Sequence, residues 1–187
     1  ASAAFDLQVT EIWPGNEPGE NLTSDWFEVT NLGDMAWTDA DGSLYFDDDS
    51  ADPEAADLIS GVTSIAPGES VVFIDADDTV EFESVWGSTI DGVQLGVYAG
   101  SGMSQGGDGA TLFVSNGQPL LDFSNVVSVD LQEYPDANAT GGQSWDVQLG
   151  AFSVVGDAAG AFSSVLANDE GQYGIGSLGA SVPEPTA

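Results

Sequence analysis

The sequence predicts an all-β fold, and three observations carry that prediction. Short apolar stretches with period-two alternation recur along the 187 residues. Turn residues, including many of the 24 Gly, separate these stretches at regular intervals. Within the stretches β-branched and aromatic residues dominate, as a pleated, half-buried surface favours. The chain is 42% hydrophobic, enough to build a core rather than a disordered acidic tail. The spacing fits one β-sandwich domain of roughly eight to ten strands over residues 1–180, followed by a short tail at 181–187.

The first strand is expected at residues 5–13, where Leu7 and Val9 share a face and Ile12 breaks phase, which implies a bulge. A Pro/Gly/Asn loop follows at 14–24. In Asp25-Trp26-Phe27-Glu28-Val29-Thr30-Asn31, Phe27 and Val29 lie on one face and Trp26, Glu28 and Thr30 on the other. Trp37 is a large apolar anchor before the turn Asp39-Ala40-Asp41-Gly42, and a strand ends at Phe46. Residues 47–57 form a dense acidic loop. Val71-Val72-Phe73-Ile74 is apolar throughout and reads as a strand buried on both faces.

Residues 79–90 are ambiguous between a short helix and an irregular crossing. Val93, Leu95 and Val97 alternate as a strand, and 99–109 is a Gly-rich loop. No helix signal follows that loop, so it is no phosphate cradle. Asn116-Gly117 between two apolar runs, 111–114 and 119–123, predicts a hairpin. Further strands are expected at 126–131 and within 144–155.

Charge sets the chemistry. There are 32 acidic residues and no Lys, Arg or His, so no salt bridge between side chains can form. A net charge of −32 repels nucleic acid and anionic membranes. Without His or Cys, the Ser-His and Cys-His nucleophilic systems and His/Cys zinc sites are excluded. What remains is carboxylate chemistry, either a facing acid pair or hard-cation coordination. With so many acids, no particular pair stands out as catalytic, and the protein is read as non-enzymatic. No run is long and apolar enough to span a membrane.

Two acidic clusters have the oxygen-rich character calcium requires. One runs through Asp39, Asp41, Asp47, Asp48, Asp49 and Asp52; the other is Asp75, Asp77 and Asp78. These nine residues are the expected Ca2+ ligands. Trp26, Trp86, Trp145 and Val182 are the expected assembly or ligand surface. Trp26 is singled out because its face must be covered by another segment or another subunit. Asn21 and Asn138 head glycosylation sequons.

Several of these pieces together resemble the lamin-tail domain. They are Leu7-Gln8-Val9-Thr10-Glu11-Ile12, the strand Asp25 to Asn31, the run Leu32 to Trp37, Ile65-Ala66-Pro67-Gly68-Glu69, and Gly107-Asp108-Gly109-Ala110-Thr111-Leu112. The resemblance covers roughly residues 5–130 and implies an immunoglobulin-like β-sandwich. Residues 131–180 are then a C-terminal β/loop extension. The tail Val182-Pro183-Glu184-Pro185 is similar to the start of a PEP-CTERM sorting signal. That similarity, with the small-residue start Ala1-Ser2-Ala3-Ala4, implies export through a signal peptide to the cell surface or extracellular matrix of a bacterium.

The function expected from all this is a self-assembling subunit of a surface fibre or matrix, with calcium-stabilised acidic loops. Its contacts would run through sandwich edges and termini. The alternative is a monomeric adhesin or carbohydrate-binding module, with an extracellular polysaccharide as partner.

Overall fold

A computed structural model describes residues 2–15, 22–100 and 102–180. In chain order its elements are β1 (Leu7–Trp13), β2 (Trp26–Asn31), β3 (Trp37–Thr38), β4 (Leu44–Asp47), β5 (Asp57–Leu58), β6 (Ser64–Ile65), β7 (Ser70–Asp75) and α1 (Val80–Trp86). Then come β8 (Leu95–Tyr98), β9 (Asp108–Ser115), β10 (Val126–Tyr134), β11 (Trp145–Asp146), β12 (Ala151–Phe152), β13 (Phe162–Ala167) and β14 (Tyr173–Gly176). The chain is mostly β, as its alternation requires.

Two sheets carry the fold. The first has the order β12-β11-β1-β2-β7-β8 and the second β10-β9-β4-β5; β13-β14 and β3-β6 form two small ladders. One core lies between the two sheets. Leu7, Val9, Phe27, Val29, Val71 and Phe73 enter it from the first sheet, and Leu44, Phe46, Leu112 and Val114 from the second. Phe27 stacks on Phe46 with ring centroids 5.3 Å apart, joining the sheets at their centre. The register shift in β1 between Val9 and Glu11 is the bulge expected from its broken phase.

A second apolar layer covers the opposite face of the first sheet. There Trp13, Trp26, Val72 and Ile74 meet Phe82, Val85 and Trp86 of α1, with Leu178 and Phe162 from the C-terminal segment. β7 is therefore buried on both faces, as its unbroken apolar run predicts. Residues 79–90 resolve as a short helix and a 3₁₀ turn because Phe82, Val85 and Trp86 recur at helical spacing and cover that face.

The open sides between the sheets are bridged. Ser60 and Val97 exchange two backbone hydrogen bonds of 2.9 Å, linking the second sheet's β5 side to β8. On the other side the Val9 N–H donates to Asp130 Oδ2 of β10 at 2.8 Å.

The described residues form fourteen strands rather than eight to ten, and the expected hairpin is not made. Asn116-Gly117 does not join two paired strands; β9 pairs with β10 instead, and 119–123 is not a strand. Pro119 lacks a ladder donor. Leu120 instead packs with Tyr45 and Phe113 on the outer face of the second sheet, and its N–H donates to the Tyr45 hydroxyl. Asp122 then accepts from Ser124 N–H and starts a 3₁₀ turn leading into β10.

Candidate metal centre

Strand ends at one end of the sheets gather the acidic loops. β4 and β9 pair antiparallel with Asp47 opposite Thr111, so the residues just after β4 lie beside the start of β9. That register brings Asp48 and Asp49 to Asp108. One carboxylate oxygen from each lies within 4.8 Å of the others. Two oxygens on opposite sides of a calcium ion, each at about 2.4 Å, have that spacing. This is the one such group among the described residues.

Asp108 is oriented by backbone donors. Its Oδ2 accepts from Ser104 N–H at 2.7 Å, and its Oδ1 from Gly109 at 2.8 Å and Asp49 at 3.2 Å. Asp48 accepts from Ser50 N–H at 2.8 Å. The Asp49 carboxyl titrates above its usual range, chiefly because the Asp108 charge faces it. A cation between them would relieve that repulsion directly.

More carboxylates stand behind this trio, under the Gly-rich loop. Asp25 accepts from Met103 N–H at 2.7 Å and Asp75 from Gly100 N–H at 3.1 Å. Burial, with added repulsion from Asp75 and Asp108, raises Asp25 to about 6. Burial likewise pushes up Asp75 and Asp57. Gly102 has φ +76°, and a Cβ there would stand 3.2 Å from Asp25 Oδ2. The glycines let backbone N–H groups approach carboxylates that no side-chain cation can reach. Tyr98 is buried beside them, and its hydroxyl has no hydrogen-bond partner among the described residues.

The other expected ligands lie elsewhere. Asp39 and Asp41 sit on an exposed 3₁₀ turn, where Asp41 Oδ2 accepts from the Thr38 N–H at 2.8 Å and hydroxyl at 3.2 Å. They are not part of the trio: their spacing makes a turn cap. Asp47 Oδ2 holds the following turn, accepting from Ser50 Oγ and Asp52 N–H, both at 2.7 Å. Asp52 accepts from Glu54 N–H. Asp78 accepts from Val80 N–H at the start of α1, and with Asp77 and Glu81 it lines a cleft beside Thr23 and Phe82.

The expected tryptophan surface is corrected. Trp26 and Trp86 are only 1% and 2% exposed. Their rings meet edge-on, 6.1 Å apart, because α1 and the C-terminal segment of the same chain cover that face. Trp145 is half-buried against the inter-sheet core and Phe152. Trp13 and Trp37 are buried too, so these four indoles present no open stacking face. Asn138 is exposed, with its amide donating to Asp136 Oδ1. Asn21 and Val182 lie outside the described residues.

A second group of carboxylates went unflagged in the sequence. Glu11 lies opposite Glu28 across β1 and β2, and opposite Asp146 across β1 and β11. All three are buried. Neutral donors hold them: Ser144 Oγ and Ser177 N–H donate to Glu11, Thr10 Oγ1 and Gly179 N–H to Glu28, and Leu149 N–H to Asp146. Gly176 permits this cover, since a Cβ there would stand 2.5 Å from Glu11 Oε1. Burial lifts Glu11 to about 7, and burial with the neighbouring Glu11 charge lifts Glu28 well above the usual range.

With fold and site described, the chain can be set beside known proteins. It matches no family model, no curated protein and no solved structure. The class that stands on its own geometry is an acidic, mostly β protein with carboxylates gathered at one end. No helix among the described residues is long and apolar enough to cross a membrane.

Proposed function

We propose that the protein is a non-enzymatic extracellular structural subunit that self-assembles into a surface fibre or matrix, with calcium holding its acidic loops. The observation that carries this reading is the convergence of Asp48, Asp49 and Asp108 in a chain with no basic side chain. With no basic side chain in the chain, a cation from solution is the available counter-charge for such a group. Calcium suits it because hard carboxylate and carbonyl oxygens on loops are its preferred ligands. Asp48, Asp49 and Asp108 are the ligands in this reading. Waters and backbone carbonyls complete the coordination.

The packed sheets support an immunoglobulin-like, lamin-tail-type sandwich as the fold of this subunit. The acidic surface supports the assembly role. Copies of a chain carrying −32 repel one another until cations intervene. Light scattering of the purified chain, with calcium and with chelator, tests the reading. Growth of scattering mass with calcium and its reversal by chelator are expected. A monomer under both conditions contradicts it.

A further inference from the structure

We propose that Asn116 is a self-modification site: in the folded chain the backbone nitrogen of Gly117 attacks the Asn116 side-chain amide, and the residue becomes aspartate and isoaspartate with loss of ammonia. This stands apart from the assembly reading and needs neither calcium nor a second copy.

Asn116-Gly117 was expected to be the tight turn of a hairpin, and the fold uses it otherwise. Residues 116–119 are exposed between β9 and Leu120. Hydrogen bonds hold this turn in place. The Asn116 N–H donates to the Asn125 C=O at 2.8 Å, the Ser115 hydroxyl to the Gly117 C=O at 2.6 Å, and the Gln118 side-chain amide to Ser43 Oγ at 2.8 Å. These bonds leave out the two reacting groups. Neither the Asn116 side-chain amide nor the Gly117 N–H has a hydrogen-bond partner among the described residues. A Cβ at Gly117 would meet nothing within 4 Å, so no other segment crowds the glycine.

Those are the conditions that ring closure needs. The side chain must turn back onto the next peptide, and a glycine there puts no Cβ in the way. The other asparagines among the described residues are placed differently. Asn31 is buried, with its amide donating to the Met35 and Ile65 carbonyls. Asn125 precedes the β-branched Val126. The Asn138 amide donates to Asp136, and Asn168 is bonded to Gln172.

Water is the co-reactant. Hydroxide takes the Gly117 amide proton, the nitrogen pair forms a bond to Asn116 Cγ, and the Cγ–Nδ2 bond breaks. Nδ2 leaves as ammonia with a proton from water, which restores the hydroxide. The resulting succinimide then takes up one water. Cleavage at Cγ gives aspartate; cleavage at the main-chain carbonyl gives isoaspartate, with the backbone routed through the side chain. The net change is one water consumed and one ammonia released, with no oxidation or reduction. Either product adds a carboxylate to the run between Asp108 and Asp130, which otherwise holds Asp122 alone.

Incubation of the full chain at mildly alkaline pH, folded and in urea, tests this. Mass mapping of fragments cut at aromatic residues, with isoaspartyl methyltransferase labelling, reads each site. Asn116 should convert in the folded chain at a rate close to that in urea, while Asn31 keeps its amide in the folded chain. Gly117→Val should slow conversion at least about tenfold. Its Cβ meets no neighbour and Gly117 has no left-handed φ, so this variant should keep the wild-type thermal midpoint. The folded-against-urea comparison uses wild type alone and so does not depend on the variant's folding. A folded chain that keeps the Asn116 amide while the chain in urea loses it overturns the proposal. So does folded-state conversion at Asn125 or Asn138 as fast as at Asn116, or a folded Gly117→Val chain that converts as fast as wild type.

Discussion

Two groups of carboxylates in this protein answer the same problem differently. Glu11, Glu28 and Asp146 are buried, and serine and threonine hydroxyls and backbone N–H groups donate to them. Asp48, Asp49 and Asp108 are exposed or half-exposed and face one another, with backbone donors on part of their oxygens. In a chain without Lys, Arg or His, a carboxylate can be neutralised by a proton or by an ion from solution. In the buried row Glu11 and Glu28 hold the proton more readily, because burial disfavours their charged form. In the proposed reading the exposed trio takes a cation, so one acidic composition would serve two kinds of carboxylate group.

The largest effect should come from uncovering the buried row. Trp86→Ala removes the ring that packs on Trp26 and on Phe162 of the C-terminal segment. It should destabilise by about 3–5 kcal/mol, read by denaturant unfolding, and should also reduce the dependence of stability on pH. A variant as stable as wild type would mean that the cover does not depend on this ring.

Next is pH itself. Glu11 is raised to about 7 in the folded chain, above its unfolded value of 4.5, and Glu28 is raised too. The folded state therefore binds protons that the unfolded state has released. This contribution is fully present below about pH 4.5 and is lost as pH rises through about 7. Thermal midpoints should fall from pH 5 to pH 9, with Glu11 alone contributing on the order of 3 kcal/mol. Glu11→Gln, neutral at every pH, should flatten the profile. A midpoint that rises over that range contradicts the buried-proton account.

The smallest effect is expected at Asp39. Its turn is exposed and separate from the trio. Asp39→Asn should change stability by less than about 0.5 kcal/mol and leave any calcium response unchanged. Loss of that response would move the cation site to the turn after Trp37.

Much of the fold could be read from local pattern. Phe27 and Val29 point into the inter-sheet core, with Trp26 and Glu28 on the other face, as alternation dictates. The sequence also showed that the Trp26 face needs a cover. It could not say that the cover is α1 and residues 162–178, because that pairing is tertiary. The burial of Glu11 and Glu28 could not be read from the sequence for the same reason. Only the distant Ser144 and Ser177 segment buries them. Asp48 and Asp49 were visible as an acidic run. Asp108, 59 residues after Asp49, joins them through the β4–β9 register, and its signal was limited to a Gly-Asp-Gly step before a strand. Asp39 and Asp41 form an exposed capped turn apart from the trio, and Asp-x-Asp-Gly is a turn signal as much as a cation-loop one.

The most direct test is calorimetric unfolding of wild type and Asp108→Asn, each with calcium and with chelator. At calcium about 100-fold above its dissociation constant, wild type should gain about 2.7 kcal/mol, seen as a raised midpoint. Asp108→Asn should lose most of that gain. A wild-type midpoint unmoved by calcium, or a gain equally large in Asp108→Asn, would contradict the cation-linked site.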